Sequence, residues 1–501
     1  MINLIEFIKV HQNLICLLVG TFFTIFSLGR FNISISIFIW PYCFLNYLHN
    51  NDKKLKPLLI VLSCLVISNM LRWIGASNVN IGLDFIVGII LSIENIIPFI
   101  IDDLLYNKIN NKNMIFIFPL IVSLIEFIFS YFPVANINIY SYAIRENLSF
   151  LQILSLFGPY FLSFVISLFA SILDYSVRFF SINKINNFIF LYVAIVLVIY
   201  LYGFIYLIIP NGGETIKAVS ALGVSQTLYD IGKESLQPLS VYINYINKTM
   251  VKAHSINASL ISYAEEGFCI EEDTYNEIIE AVQNFSILYN INTALTLDVE
   301  FNNKTNQNMA IFISNNGEVL YTYSKHHLIP YVEMDYTEGD SDIKILDTNM
   351  GKLTIVICYD IDFPNFINNI SRKHIDLLLV LSWDYPGIAE YHSNEARYRA
   401  IEGGFNLIKN TAHGNTIVSD YKGNILSTYF SQECEDYFVI SNINNHRVKA
   451  LYSYIGFFFN YLYLIAIAAI LVLEVIRKKS EQIETTEKVI CLSENSYEED
   501  H

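Results

Sequence analysis

The stretch LTIVICYDIDFPNF, Leu353 to Phe366, runs five apolar or β-branched residues straight into a cysteine. An aromatic residue, two acids and a proline follow. The apolar run has the length and composition of a buried strand, and the proline opens a helix-like segment. A strand that ends on a thiol and turns into a helix points to an α/β domain, where ligand sites gather at the carboxyl ends of strands. Acids beside a thiol disfavour the thiolate. Cys358 is therefore either a small core residue or a nucleophile whose proton is taken by a base as attack occurs.

The flanking sequence repeats the pattern. Segments 218–226, 256–266, 374–383 and 405–412 read as strands, and 230–254, 272–287 and 389–403 as helices. Asn316-Gly317 inside 308–325 and Lys422-Gly423 inside 415–426 are hairpin signals. Strands interleaved with helices predict a layered α/β domain.

The rest of the chain is too apolar for that domain alone. Of 501 residues, 53% are hydrophobic, which predicts membrane helices. Runs able to cross a bilayer lie near 13–29, 31–48, 57–74, 81–101, 114–133, 149–173, 187–209 and 451–473. The first lacks a small-residue cleavage site and another apolar run follows it, so it does not read as a signal peptide. With the N-terminus in the cytoplasm, inner segments hold about eleven Lys and Arg residues against three outside. That bias places the soluble domain on the outer face and both termini in the cytoplasm. Asp84, Glu94 and Glu126 fall inside apolar runs, where an acid faces a bundle interior or an interface. The polar tail from Arg477 to His501 is expected to be disordered.

Net charge of −16 argues against nucleic acid as a partner. None of the seven cysteines has zinc spacing. Cys269 and Cys434 could pair, leaving Cys358 free. His326 and His327 are adjacent, so on a strand they would face opposite ways, and no metal is expected.

Reactive residues end three segments: Glu265 and Glu266 in LISYAEEG, Lys325 and Glu333 in YTYSKHHLIPYVE, and Cys358 in VICYD. A carboxylate, an amine and a thiol suit acyl transfer: the thiol attacks a carbonyl, the carboxylate takes its proton, and the ammonium stabilises the oxyanion.

These strings resemble the nitrilase, or carbon–nitrogen hydrolase, superfamily, and within it the membrane-bound apolipoprotein N-acyltransferases. KHHLIPYVE (325–333) is similar to that family's K-x-x-L-x-P-x-x-E, and CYD to its C-Y-E. LLVLSWDYPG and EARYRAIEGGFNLIKNTAHG resemble its strand–loop and A-R-x-R-A-x-E helix, and LQILSLFGPYFLSFVISL the helix before its catalytic domain. The resemblance implies a nitrilase-like αββα sandwich attached to about eight transmembrane helices. The layout would be seven helices in 1–210, the catalytic domain in 211–447, a last crossing in 448–476 and a tail in 477–501. It implies Glu265 as base, Lys325 as oxyanion stabiliser and Cys358 as nucleophile. Glu333 would orient Lys325 or the incoming amine, and Tyr359 would stand beside the nucleophile. No cofactor is implied. A phospholipid would donate the acyl chain and a lipoprotein would accept it, with the protein a monomer in the inner membrane.

The sequence departs from the family at several points. Tyr263-Ala264 replaces Trp-Pro, and Glu266 follows Glu265, so either acid could be the base, with Glu265 favoured. Asp360 replaces a Glu, and Lys409 an Arg. The segment between Glu333 and Cys358 is short and polar where the family has a longer arm over its lipid site. An amidase or a transferase with another acceptor is therefore the alternative reading.

Overall fold

Unbroken apolar runs give no strand alternation, and the first part of the chain is helical. Its helices are α1 (Ile2–Ile25), α2 (Ser36–His49), α3 (Leu55–Trp73), α4 (Ile81–Tyr106), α5 (Ile117–Phe129), α6 (Leu148–Leu151), α7 (Leu154–Phe157), α8 (Pro159–Arg178) and α9 (Ile182–Ile208). The computed structural model describes residues 2–498 except 52–54, 77–80, 107, 110–111, 133–136, 179–181, 226–235, 302–304 and 432–437.

Among the described residues, six helical stretches are long and apolar enough to cross a membrane: Leu55–Trp73, Ile81–Tyr106, Lys112–Phe129, Pro159–Arg178, Asn187–Ile208 and Phe458–Ile483. The first two of the eight expected crossings correspond to the shorter His11–Ile25 and to α2. With 14 residues, α2 is about 21 Å long, short of a hydrocarbon core of about 30 Å. The run expected at 149–173 is broken at Gly158, whose φ is +76°. The ring of Tyr452 lies 2.1 Å from where a Cβ would stand there. Asp84, Glu94 and Glu126 are buried in the bundle. Asp84 accepts from the Gly75 N–H, Glu94 from Asn138, and Glu126 from the Tyr140 N–H. The acids are thus partnered in the protein interior, as their cost in lipid demands.

Among the described residues the second part holds thirteen strands, of which β1 (Thr215–Ala221), β2 (Leu260–Tyr263), β3 (Phe268–Glu271), β4 (Asn292–Glu300), β5 (Gln307–Ile313), β6 (Val319–Ser324) and β13 (Phe438–Asn444) form one sheet. Its order is β13-β1-β2-β4-β5-β6, with β3 beside β4. The other sheet has the order β12-β11-β10-β9-β8-β7, from β7 (Leu346–Thr348), β8 (Gly351–Ile357), β9 (Leu377–Trp383), β10 (Asn406–Ala412), β11 (Asn415–Ser419) and β12 (Ile425–Phe430). In each sheet the central strands are parallel: β1, β2 and β4 in the first, β8, β9 and β10 in the second. Both predicted hairpins are present, with Gly317 and Gly423 at positive φ.

Helices α10 (Leu239–Ser255) and α11 (Tyr275–Tyr289) cover the first sheet through Tyr242, Ile246, Met250, Ile278 and Val282. Helices α12 (Pro364–Arg372) and α13 (Ala389–Gly403) cover the second through Ile367, Ile370, Ala396 and Ala400. Between the sheets, Ala218, Leu260, Ala294 and Phe312 meet Ile355, Leu379 and Ile408. The result is the expected αββα sandwich. Residues 230–235 of the helix expected at 230–254, and Cys434, lie outside the described residues, and the described helix begins at Leu239. The pairing of Cys434 with Cys269 is not addressed by the structure.

Helix α13 joins the sandwich to the bundle. Its Tyr391, Tyr398 and Ile401 belong to the bundle core, and Tyr398 stacks on Tyr142 at 5.0 Å. The chain then leaves through α14 (Leu451–Glu498). The tail expected to be disordered from Arg477 is instead helical as far as Glu498. Arg477 pairs with Glu474 and Glu481, a turn away on either side, and such pairs favour propagation of a helix already nucleated in the apolar segment.

Candidate active site

The opening stretch folds into a sharp corner. Strand β8 is buried and ends at Ile357. Cys358 then takes φ +45°, left-handed for a residue with a Cβ, and begins a 3-10 turn, Cys358–Asp362. Such a conformation costs of order 1–3 kcal/mol and persists only where neighbours impose it. Here Asp360 imposes it. Its buried carboxylate accepts from the Ile357 N–H (3.0 Å), the Tyr323 hydroxyl (2.7 Å) and the His327 N–H and Nδ1 (2.8 and 2.9 Å). The corner is thereby tied to the loop that follows β6.

Glu265, expected as the base, sits at a second irregularity. The strand read at 256–266 stops at Tyr263 and resumes as β3 at Phe268. In the gap Glu266 has φ +51°. Thr296 on β4 bridges the gap, donating to the Ala264 carbonyl (2.5 Å) and accepting from the Gly267 N–H (3.2 Å). A Cβ on Gly267 would lie 2.7 Å from that Thr296 hydroxyl. The break turns Glu265 away from the ladder. Its carboxylate accepts from the Trp383 N–H at 2.6 Å and from Asn308 at 2.8 Å.

Lys325, just past β6, donates from Nζ to Glu265 at 2.8 Å and to Glu333 at 2.7 Å. Glu333 is held in turn by the Ile329 N–H at 2.7 Å. The Cys358 thiol donates to the Trp383 carbonyl at 3.6 Å and faces the Glu265 carboxylate, an alternative acceptor for the same proton. Glu265, Lys325, Glu333 and Cys358, which come from four separate segments, therefore converge on one buried locus. Half-buried Glu266 stands beside them, with a carboxylate oxygen within 4.8 Å of those of Glu265 and Glu333.

Burial pushes the Cys358 thiol well above its ordinary value; Glu265 adds to the shift and Lys325 opposes it. Burial likewise raises Glu265 against the pull of Lys325, and raises Glu266, with Glu265 and Asp298 adding to it. Burial alone would neutralise Lys325, but Glu265, Cys358 and Glu333 outweigh it and keep the ammonium charged. The resting arrangement is a protonated thiol beside a carboxylate, with a fixed cation on the other side of that carboxylate.

Tyr359 is half-buried, edge-on to Phe363 at 5.1 Å, and lines a cavity of about 400 Å³ with Tyr131, His326, Phe363 and Phe366. Ser130 and Tyr131, just past the end of α5, form the wall contributed by the helical bundle. The two histidines lie in a loop, not a strand, and their rings meet at 4.4 Å instead of facing apart. Each Nδ1 is engaged, that of His326 by the Gly339 carbonyl and that of His327 by Asp360.

Sequence reasoning missed Asn308, the Trp383 main chain and a second ionic cluster. In that cluster Lys409 pairs with Asp384, Asp384 accepts from His392 Nδ1 at 2.6 Å, and His392 Nε2 lies 2.9 Å from Asp362. Only Lys409 had drawn notice, as a departure from an Arg. Asp384 stands in the quoted LLVLSWDYPG and His392 in the helix read at 389–403, but nothing in their spacing shows that a loop and a helix bring them together. Among the described residues, Glu265, Glu266 and Glu333, and separately Cys358, Asp384 and His392, are close enough to surround a metal ion. Each group already contains or abuts a protein cation, Lys325 in one case and His392 with Lys409 in the other.

Residues 239–451 match the family model for carbon-nitrogen hydrolases. This part of the chain is a carbon-nitrogen hydrolase domain. The chain is also similar to a Rickettsia bellii protein named apolipoprotein N-acyltransferase, 26% identical over 27% of this chain and 32% of the relative. A Rickettsia typhi protein of the same name is 24% identical over 63% of this chain and 68% of the relative. The chain thus spans about a third of the first relative's length and about two thirds of the second's. A solved amidase of the nitrilase superfamily from Nesterenkonia is 17% identical, covering 49% of this chain and 95% of its own, with a TM-score of 0.40. The hydrolase domain holds all seven of the site residues considered above, from Glu265 to Asp360.

Proposed function

We propose that the protein is a membrane-embedded lipoprotein N-acyltransferase. The observation that carries this reading is the convergence of Glu265, Lys325 and Cys358 in a hydrolase domain whose helix α13 is packed into a bundle of apolar helices. Cys358 attacks the ester carbonyl of a phospholipid while Glu265 takes the thiol proton. Lys325 stabilises the oxyanion. The carbonyl–oxygen bond breaks, Glu265 gives the proton to the departing oxygen, and a lysophospholipid leaves an acyl thioester. The neutral α-amine of a diacylglyceryl-cysteine lipoprotein then attacks the thioester. Its proton passes through Glu265 to the leaving sulfur, forming an amide and restoring the thiol. Glu333 holds Lys325 in place, and the cavity beside Tyr359 admits the lipid. Exposed Tyr331, Val332 and Met334 flank Glu333 and give the approach an apolar lip. The domain faces the outer side of the plasma membrane, as the Lys and Arg bias supports.

Purified protein, phospholipid micelles and a model diacylglyceryl lipopeptide test this. The expected product is the lipopeptide heavier by one fatty acyl group, with an acyl thioester on Cys358 that is absent in Cys358→Ser. The short, polar segment between Glu333 and Cys358 favours a second reading, transfer to water or a different amine. Release of free fatty acid with no change in the lipopeptide would support that reading and overturn the first.

A further inference from the structure

The cluster around His392 has no part in the steps above, yet it lies against the nucleophile. The Cys358 sulfur, a carboxylate oxygen of Asp384 and a ring nitrogen of His392 are all within 4.8 Å of one another. All three residues are buried, as are Lys409 and Asp362. The connections matter as much as the distances. Asp362 closes the 3-10 turn that Cys358 opens. Asp384 directly follows Trp383, whose carbonyl accepts from the thiol and whose N–H holds Glu265. His392, on α13, touches both acids, one through each ring nitrogen.

An imidazole hydrogen-bonded to one carboxylate through Nδ1 and in ion-pair contact with a second at Nε2 is favoured in its protonated, positively charged form. We propose that His392 is a positioning residue for Cys358, a buried imidazolium that fixes the nucleophile's turn against the β9 end and, with Lys409, supplies cationic charge that eases ionisation of the thiol. This rests on the reading of Cys358 as nucleophile. Lys325 lowers the thiol's pKa from the other side, and Asp384 acts against the two cations of the cluster. The groups facing Cys358 are Glu265, Lys325, Asp384, Lys409 and His392. Those facing His392 are Asp384, Asp362, Lys409 and Glu395. Burial and Lys409 work against the His392 charge, but Asp362 and Asp384 prevail and hold its pKa at about 10. The same two cations outweigh burial at Asp384 and hold it at about 2.

The test is the pH profile of Cys358 alkylation by iodoacetamide in the full-length protein in detergent, read by peptide mass. Loss of a nearby cation disfavours the thiolate, so His392→Gln moves the profile to higher pH. A displacement of about one unit slows alkylation about tenfold at a fixed pH on the rising limb. The plateau at high pH is expected to stay where it is. A purely structural role would lower the melting temperature and leave the profile in place, and that result overturns the proposal. If His392→Gln does not fold, Lys409→Gln removes the other cation of the cluster, which lowers the thiol's pKa, and is expected to shift the profile in the same direction. An unmoved profile there overturns the proposal equally. Wild-type Cys358 that alkylates normally while lipopeptide acylation fails counts against the proposed function and leaves this inference standing.

Discussion

Asp360 accepts four donors while lying buried beneath the nucleophile. Replacing it with Asn removes the charge and forces the two donors on one of its oxygens to face an amide N–H. The expected cost is about 1–3 kcal/mol of stability, read by thermal melting, together with slower thioester formation. As the proposed base, Glu265 is expected to set the acid limb of activity. As base it must be ionised, and burial raises it above the ordinary value of 4.5. Acyl transfer is therefore expected to fall away, as pH drops, at a higher pH than an unperturbed carboxylate would give; a profile of kcat/KM against pH checks this. Glu265→Gln is expected to abolish turnover at every pH. Lys325, Glu333 and Cys358 were legible in the sequence because they lie within short strings of fixed spacing. Trp383 was not, because it acts through its main chain, and main-chain roles leave no mark on residue type. Asn308 was not, because its partner is 43 positions away.

The broken strand at β2 and β3 is the element on which the base depends. Thr296 gives the interrupted backbone its only side-chain bridge among the described residues. Thr296→Val keeps the shape and removes the hydroxyl, leaving the Ala264 carbonyl and the Gly267 N–H unsatisfied. The expected loss is about 1–3 kcal/mol, with kcat reduced more than KM because Glu265 is no longer held in place; steady-state kinetics on lipopeptide separate the two. The segment read at 256–266 showed a strand but not its interruption, since apolar periodicity records burial and not a local change of ladder. Strand β4, NTALTLDVE, went unread although it joins β2 to β5 at the centre of its sheet. Its Leu295–Glu300 stretch does alternate apolar and polar residues, but both faces are buried, and Thr296 and Asp298 meet hydrogen-bond partners instead of water. The helix at 389–403 and both hairpins were readable because their termini carry the chemistry that fixes them, Gly403-Gly404 for the helix and Gly317 and Gly423 for the turns.

At the scale of the whole molecule the buried ion cluster links stability to pH. His392, with a folded value near 10 against 6.5 for an ordinary histidine, contributes stability that is complete below about 6.5 and is lost as pH rises through about 10. Asp384, held at about 2 against 3.8, contributes stability present above 3.8 and lost as pH falls towards 2. The melting temperature is expected to decline from neutral pH to about 10, and His392→Gln is expected to flatten that decline. Calorimetry across that range reads both. Two layers of helix around two sheets, and a membrane bundle before them, were visible in the sequence. The number of full-length crossings was not, because hydropathy does not register where Gly158 and Pro159 cut a helix or how few residues of an apolar run, as at α2, remain helical.

Helix α13 buries nearly its whole circumference, with Ala396 and Ala400 toward the second sheet and Tyr391, Tyr398 and Ile401 in the bundle. A shared wall of this kind has no outside. Cutting the hydrolase domain free at its linkers would bare three large apolar side chains and strip Arg397 of its bond to the Arg145 carbonyl. The excised half is therefore expected to precipitate or self-associate, where domains of this fold that evolved without a membrane partner have no such scar to hide.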